Sequence, residues 1–154
     1  MRAERGTHSL VAPCHVGARL LVLARPQTYM NESGLAVRAL VRRHGIEDLR
    51  RLVVVHDELD LPLGMIRVKV GGGLAGHNGL ESVRSHLHSA DFVRVRIGIG
   101  KPAGRTPGAD WVLKRPGKAE RELLDVSIVE AADAVELILD KGPEAAMNAF
   151  NGPR

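Results

Sequence analysis

The sequence is poor in sulfur, in aromatic rings and in long apolar runs. It has one cysteine, Cys14, in 154 residues. That excludes an internal disulfide and a cysteine-based zinc site, and it makes a reducing cytosol the default compartment. The aromatic residues are four: Tyr29, Phe92, Trp111 and Phe150. With so few ring faces, any bound nucleic acid is held by charge and backbone geometry more than by base stacking. The longest apolar runs, such as Leu20–Ala24 and Leu52–Val55, are far too short to cross a bilayer. Met1 to Gly6 carries charge and no apolar stretch, unlike a secretory signal. Hydrophobic residues at 44% and charged residues at 26% exclude a disordered chain, a collagen and a coiled coil.

A chain of this length is expected to form one domain that buries roughly 68–70% of its unfolded surface. Glycine is abundant, at 17 residues. The net charge of +4 is unevenly spread. Residues 1–118 hold 19 Lys/Arg against 10 Asp/Glu, a net +9, and residues 119–154 hold 3 against 8, a net −5. The basic part has a polyanion as its natural partner and the acidic tail does not. Solvated surface charge is the plainer explanation, and charge alone does not choose between them.

Periodicity gives an α/β reading. Residues 1–17 show no clear period. Ala18–Ala24 reads as a buried strand, stopped by Pro26. Gln27–Gly34 reads as a loop. Apolar positions 36, 37, 40 and 41 predict a helix from Gly34 or Leu35 to His44, with Asn31 and Ser33 as candidate N-caps and Gly45 as the stop. Arg51–Val55 reads as a second buried strand, followed by an acidic loop from His56 to Asp60. Met65–Val70 alternates, with Ile66, Val68 and Val70 on one side and Arg67 and Lys69 on the other. Gly71–Gly76 reads as a loop and His77–His88 as a helix. Phe92–Ile99 alternates again, with Arg94 and Arg96 on its polar face. Residues 100–118 read as a loop with Trp111-Val112-Leu113 as a core anchor. Ala119–Asp140 predicts a long amphipathic helix ending at Gly142, and Pro143–Phe150 a short one. The sum is an α/β domain with a sheet of at least four strands.

Three places carry candidate chemistry. Gly71 to Gly76 fits G-x-G-x-x-G, with Asp91 twenty residues on, but the preceding strand alternates instead of being buried on both faces. A tight turn with positive φ, or backbone N–H groups approaching an anionic or planar ligand, fits better than a dinucleotide site. Asp57 ends an apolar strand, where α/β domains place functional groups; it can orient a histidine or a water, or simply cap the loop. Strand alternation sends His56 to the opposite face. Asn31 and Asn78 each open a helix and serve as caps, or as amides that donate to a carbonyl and accept from water. The seven histidines show no metal-binding spacing, and there is no nucleophile elbow.

The segments Pro26-Gln27-Thr28-Tyr29-Met30-Asn31-Glu32-Ser33-Gly34, His56-Asp57-Glu58-Leu59-Asp60-Leu61-Pro62, Gly71 through Leu80, and Arg94-Val95-Arg96-Ile97-Gly98-Ile99-Gly100 together resemble bacterial-type peptidyl-tRNA hydrolase. Four motifs in order with compatible gaps are highly specific, and the resemblance runs from about Arg19 to Asn148. It implies a single α/β domain with a twisted mixed sheet flanked by helices, spanning 18–150 behind an atypical segment 1–17. It implies metal-free hydrolysis of the ester between a peptide and tRNA, with a histidine held by an aspartate as general base. By motif position Asp57 is that aspartate, and Asn31 holds water and the substrate 3′ end. Asn78 and His77 bind substrate, and Tyr29 and Met30 line the pocket. Lys69 and Arg96 match basic positions that grip tRNA phosphate. Peptidyl-tRNA is the expected partner, with no membrane, no nucleotide cofactor and no metal, for a cytoplasmic monomer.

The family's opening strand, Gly-Asn-Pro-Gly loop and Thr-Arg-His-Asn segment have no counterpart here, and His8 and His15 do not sit in such a motif. The resemblance therefore implies impaired hydrolysis, with His77 as the best local substitute for the base. The alternative is a tRNA- or RNA-binding module without catalysis.

Overall fold

The computed structural model describes residues 1–101 and 116–152. The expected Trp111-Val112-Leu113 anchor lies outside the described residues. The chain divides into two compact units, Met1–Leu52 with Gly71–Phe92, and Val53–Val70 with Val93–Arg154.

The first unit begins with an antiparallel sheet, β1 (Arg2–Glu4), β2 (Ser9–Val16) and β3 (Arg19–Pro26), in that spatial order. Residues 1–17, without period in the sequence, thus supply two strands. β1 is too short to show alternation, and it pairs β2 only as far as Val11. Pro13 follows that point, where the β1 side of β2 has no partner strand and a missing N–H is tolerated. β3 ends at Pro26 as expected, but it is not a buried strand: Leu20 is 58% and Leu23 41% exposed. It forms an edge of a three-stranded sheet, so its apolar run marks strand propensity and not burial.

The loop after Pro26 contains a single 3₁₀ turn, Met30–Glu32, and α1 runs from Ser33 to Arg43. Neither Asn31 nor Ser33 caps it. Glu32 occupies the N-cap position without a side-chain bond, and the Ser33 hydroxyl donates back to the Met30 carbonyl at 2.7 Å. Arg42 and Arg43 sit in the last turn, where they complement the helix dipole, and Gly45 at φ +64° leaves the helix. The His44 imidazole meets Glu4 of β1 at 3.0 Å. α2 (Asn78–Leu87) packs on α1 through Gly34, whose N–H donates to Ser82 Oγ at 2.9 Å.

The second unit holds a mixed three-stranded sheet ordered β4 (Val53–Glu58), β6 (Val93–Gly98), β5 (Ile66–Val70), with β4 parallel and β5 antiparallel to β6. The expectation of one sheet of at least four strands is therefore replaced by two sheets of three. β4 continues through His56, Asp57 and Glu58, whose acidic composition predicts a loop. The ladder to β6 carries those three residues opposite Arg96, Ile97 and Gly98. Nor is β4 uniformly buried, since Val55 is 49% exposed at the sheet edge. α3 (Lys118–Lys141) and α4 (Pro143–Phe150) follow, separated by Gly142 at φ +91°. Proline at the first position of α4 lacks only an N–H that a helix start leaves unpaired anyway.

The core of this unit is one face of the sheet, Ile66, Val68, Val93 and Val95, against Ala131, Ala134 and Ile138 of α3 and Ala146 of α4. Small residues on α3 let the helix approach the β-branched side chains closely. Asn151 then closes the β5 edge: its amide donates to the Val68 carbonyl at 2.6 Å and its oxygen accepts from Val68 N–H at 2.8 Å. One side chain so completes the backbone pairing of an edge residue.

Candidate functional site

In the first unit the structure brings together the Tyr29-Met30-Asn31 turn and the start of α2. A Cβ placed on Gly79 would lie 2.7 Å from Met30 Sδ and 3.0 Å from His77 Cε1, so the glycine makes room for both side chains. Tyr29, at 81% exposed, and Met30, Asn31 and Asn78 all reach solvent. Their amides and ring are thus available to a ligand. The α2 cap belongs to His77 and not to Asn78: His77 Nδ1 accepts from Leu80 N–H at 3.2 Å. With Nδ1 an acceptor, a neutral imidazole carries its proton on Nε2. His77 is then a donor at its other nitrogen, which suits holding a substrate oxygen better than removing a proton from water.

The glycine loop before α2 turns through positive φ at Gly71, Gly72 and Gly76, and also at Ala75, at +50°. Gly71 N–H closes the loop onto Phe92 carbonyl at 3.3 Å. These are the demands of a tight turn.

In the second unit Asp57 lies one residue before the C-terminal end of β4, half-buried, opposite Ile97. His56 points to the other face as expected and is buried; its Nδ1–H donates to the Asp57 carbonyl at 2.7 Å. A carboxylate so placed can orient an imidazole or a water at the carboxyl end of the strand.

The face of this sheet opposite the core is charged. Lys69 stands opposite Arg94, and Arg67 opposite Arg96, which also faces His56. Arg94 is not on an exposed polar face, as its alternation suggested, but is 1% exposed. Burial, followed by the charge of Arg96, holds its guanidinium below the usual arginine range. Lys69 is likewise lowered, by burial first and then by Arg94 and Arg96, with Glu58 opposing the shift. Arg96 is half-buried and bonds Glu58 through Nε and Nη2, each 3.1 Å from Oε1. An apolar strand ending at Val55 leaves Glu58 outside the pattern; the alternation continued through His56 to Glu58 places it on this face.

Gly98, in the Arg-Ile-Gly segment, has a steric reason. A Cβ there would overlap the Pro62 carbonyl oxygen and lie 2.9 Å from Leu61 Cβ. The Asp-Glu-Leu-Asp-Leu-Pro turn therefore needs a glycine beneath it. Among the described residues no His, Cys, Asp and Glu cluster has metal-binding geometry, and no helix is long and apolar enough to cross a membrane.

Comparison with known proteins agrees with these motifs. The sequence model of the peptidyl-tRNA hydrolase family matches residues 1–154, further than the stretch from Arg19 to Asn148. The chain is 50% identical over 136 residues to the peptidyl-tRNA hydrolase of Cutibacterium acnes, covering 88% of this chain and 68% of that protein. It is 49% identical over 150 residues to that of Rubrobacter xylanophilus, covering 97% and 80%. The crystal structure of peptidyl-tRNA hydrolase from Acinetobacter baumannii matches with a TM-score of 0.90 at 33% identity, covering 99% of this chain and 77% of that one. Order of motifs, mixed α/β fold and sequence identity converge: the chain belongs to the peptidyl-tRNA hydrolase family.

Proposed function

We propose that the chain hydrolyses the ester joining a peptide, or an N-blocked aminoacyl group, to the 3′ end of tRNA, and so recycles tRNA from aborted translation. The observation that carries this is the family match over residues 1–154 with all four motifs in place. Every relative compared is named a hydrolase, which favours catalysis over the non-catalytic RNA-binding module.

The roles follow from chemistry at each position. Water attacks the ester carbonyl, one of its protons passes to a base, and the 3′ hydroxyl leaves with a proton. Asp57 orients the group that takes that proton. Asn31 and Asn78 present exposed amides that donate to carbonyl oxygen and accept from water or a hydroxyl. Tyr29 and Met30 supply apolar surface beside them, and His77 donates from Nε2. Lys69 and Arg96 meet tRNA phosphate, which positions the substrate without reading its sequence. The reading includes a cytoplasmic monomer that uses neither metal nor nucleotide.

The test is hydrolysis of N-acetyl-aminoacyl-tRNA by the purified chain. Release above the buffer rate, with a raised KM in Asn31→Ala and Asn78→Ala, is expected. Activity that His77→Ala abolishes would make His77 the base and not a donor to substrate, and release no faster than in buffer would contradict the hydrolase reading.

A further inference from the structure

We propose that Glu58 is a positioning residue for RNA binding: it seats the Arg96 guanidinium, and Arg96 then meets a phosphate. This rests on the reading of Arg96 as a phosphate contact.

The charged face of the second sheet crowds cations. Arg67 and Lys69 of β5 stand directly opposite Arg96 and Arg94 of β6. Like charges facing each other across a ladder repel, and partial burial leaves less water to screen them. Within the three strands, the residues sharing this face include one carboxylate, Glu58 of β4. It is placed to counter the crowding. The Glu58 side chain is only 7% exposed, and its two oxygens have separate tasks. Oε1 accepts from Nε and Nη2 of Arg96, and Oε2 accepts from Asp60 N–H at 3.3 Å. The bond to the Asp60 backbone fixes the carboxylate against the turn that follows β4. The carboxylate in turn grips one edge of the guanidinium.

An arginine held by one edge has its plane set, and its opposite edge is aimed without further loss of side-chain freedom. Arg96 remains 20% exposed, so it is anchored but not sealed. Without the carboxylate it is left beside Arg94 and Lys69, and the long side chain swings toward water. Lys69 feels the same arrangement, since Glu58 is the group that favours its charged form.

The sign of the effect distinguishes positioning from charge. A carboxylate near a phosphate site that acted by charge alone would weaken anion binding, and its removal would tighten the complex. A carboxylate that seats the arginine does the reverse. The experiment is tRNA binding across a salt series for Glu58→Gln, Glu58→Ala, Arg96→Ala and the double variant Glu58→Ala/Arg96→Ala. Each is checked for an unchanged circular-dichroism spectrum; Glu58→Gln keeps the shape and an acceptor oxygen should Glu58→Ala not fold. Arg96→Ala should weaken binding about tenfold and lower the salt slope by about 1. Glu58→Ala should do the same, Glu58→Gln should fall between it and the parent, and the double variant should be no worse than Arg96→Ala. In hydrolysis, Glu58→Gln should raise KM and leave kcat within about twofold. Equal or tighter binding by the Glu58 variants, beside a weakened Arg96→Ala, overturns the proposal and leaves the phosphate reading standing. Fully additive losses in the double variant also overturn it. Binding indifferent to Arg96→Ala removes the phosphate reading itself.

Discussion

Replacing Gly34 by alanine adds one methyl group where α1 meets α2. The new Cβ would overlap the backbone carbonyl oxygen of Ser82 and lie 2.5 Å from His86 Nδ1. Neither neighbour yields easily. The first is helix backbone, and the second is an imidazole whose Nδ1–H already donates to the same Ser82 carbonyl at 2.9 Å. The helices must separate, which also breaks the bond from Gly34 N–H to Ser82 Oγ. Overpacking costs about 1–3 kcal/mol and the lost hydrogen bond about 1 kcal/mol. Alanine's better helix propensity returns about 1 kcal/mol. The net is a destabilisation of about 1–3 kcal/mol, against the sign that propensity alone gives. Urea unfolding measures it directly, as a lower midpoint with unchanged m-value. The separation also displaces the Tyr29-Met30-Asn31 turn from the start of α2, so KM for blocked aminoacyl-tRNA should rise together with the loss of stability. An alanine variant as stable as the parent, or more stable, would refute the close-packing argument.

Other perturbations test other parts of the account. Asn151→Ala removes both bonds that close the β5 edge at Val68 and should cost about 1–3 kcal/mol, read as a lower thermal midpoint. Ala75→Gly relieves a left-handed residue at φ +50° and should stabilise by about 1 kcal/mol, read by denaturant titration; a destabilised variant would show that this turn is not strained. Lys69→Ala should weaken tRNA binding and flatten its salt dependence by about one unit of slope, with little change between tRNA sequences.

The strands and helices were legible where one signal sufficed. Ile66, Val68 and Val70 alternate with Arg67 and Lys69, and the structure puts them on opposite faces of β5. α3 and α4 follow their apolar spacing, and Gly45 and Gly142 stop helices as a residue tolerant of positive φ should. The misreadings have physical causes. An apolar run such as Leu20–Leu23 favours a strand, but burial depends on what lies across the sheet, which no local pattern reports. The acidic residues Asp57 and Glu58 looked like a loop by composition, yet the ladder to Ile97 and Gly98 keeps them extended. Arg94 looked exposed because charge is usually solvated, and its burial comes from tertiary context. Of the candidate site, the residue types came from motifs, whereas the His77 cap, the Met30–Gly79 fit and the Glu58–Arg96 pair needed coordinates.

The central claim is ester hydrolysis that depends on Asp57. The direct measurement is the rate of tRNA release from N-acetyl-aminoacyl-tRNA by the parent chain and by Asp57→Asn, with both confirmed folded. The account predicts release above the buffer rate that falls at least tenfold in the variant, since Asp57 orients the group that takes the water's proton and such positioned proton transfer contributes about 10²–10⁴-fold. Release no faster than in buffer, or a rate that Asp57→Asn leaves unchanged, would contradict it.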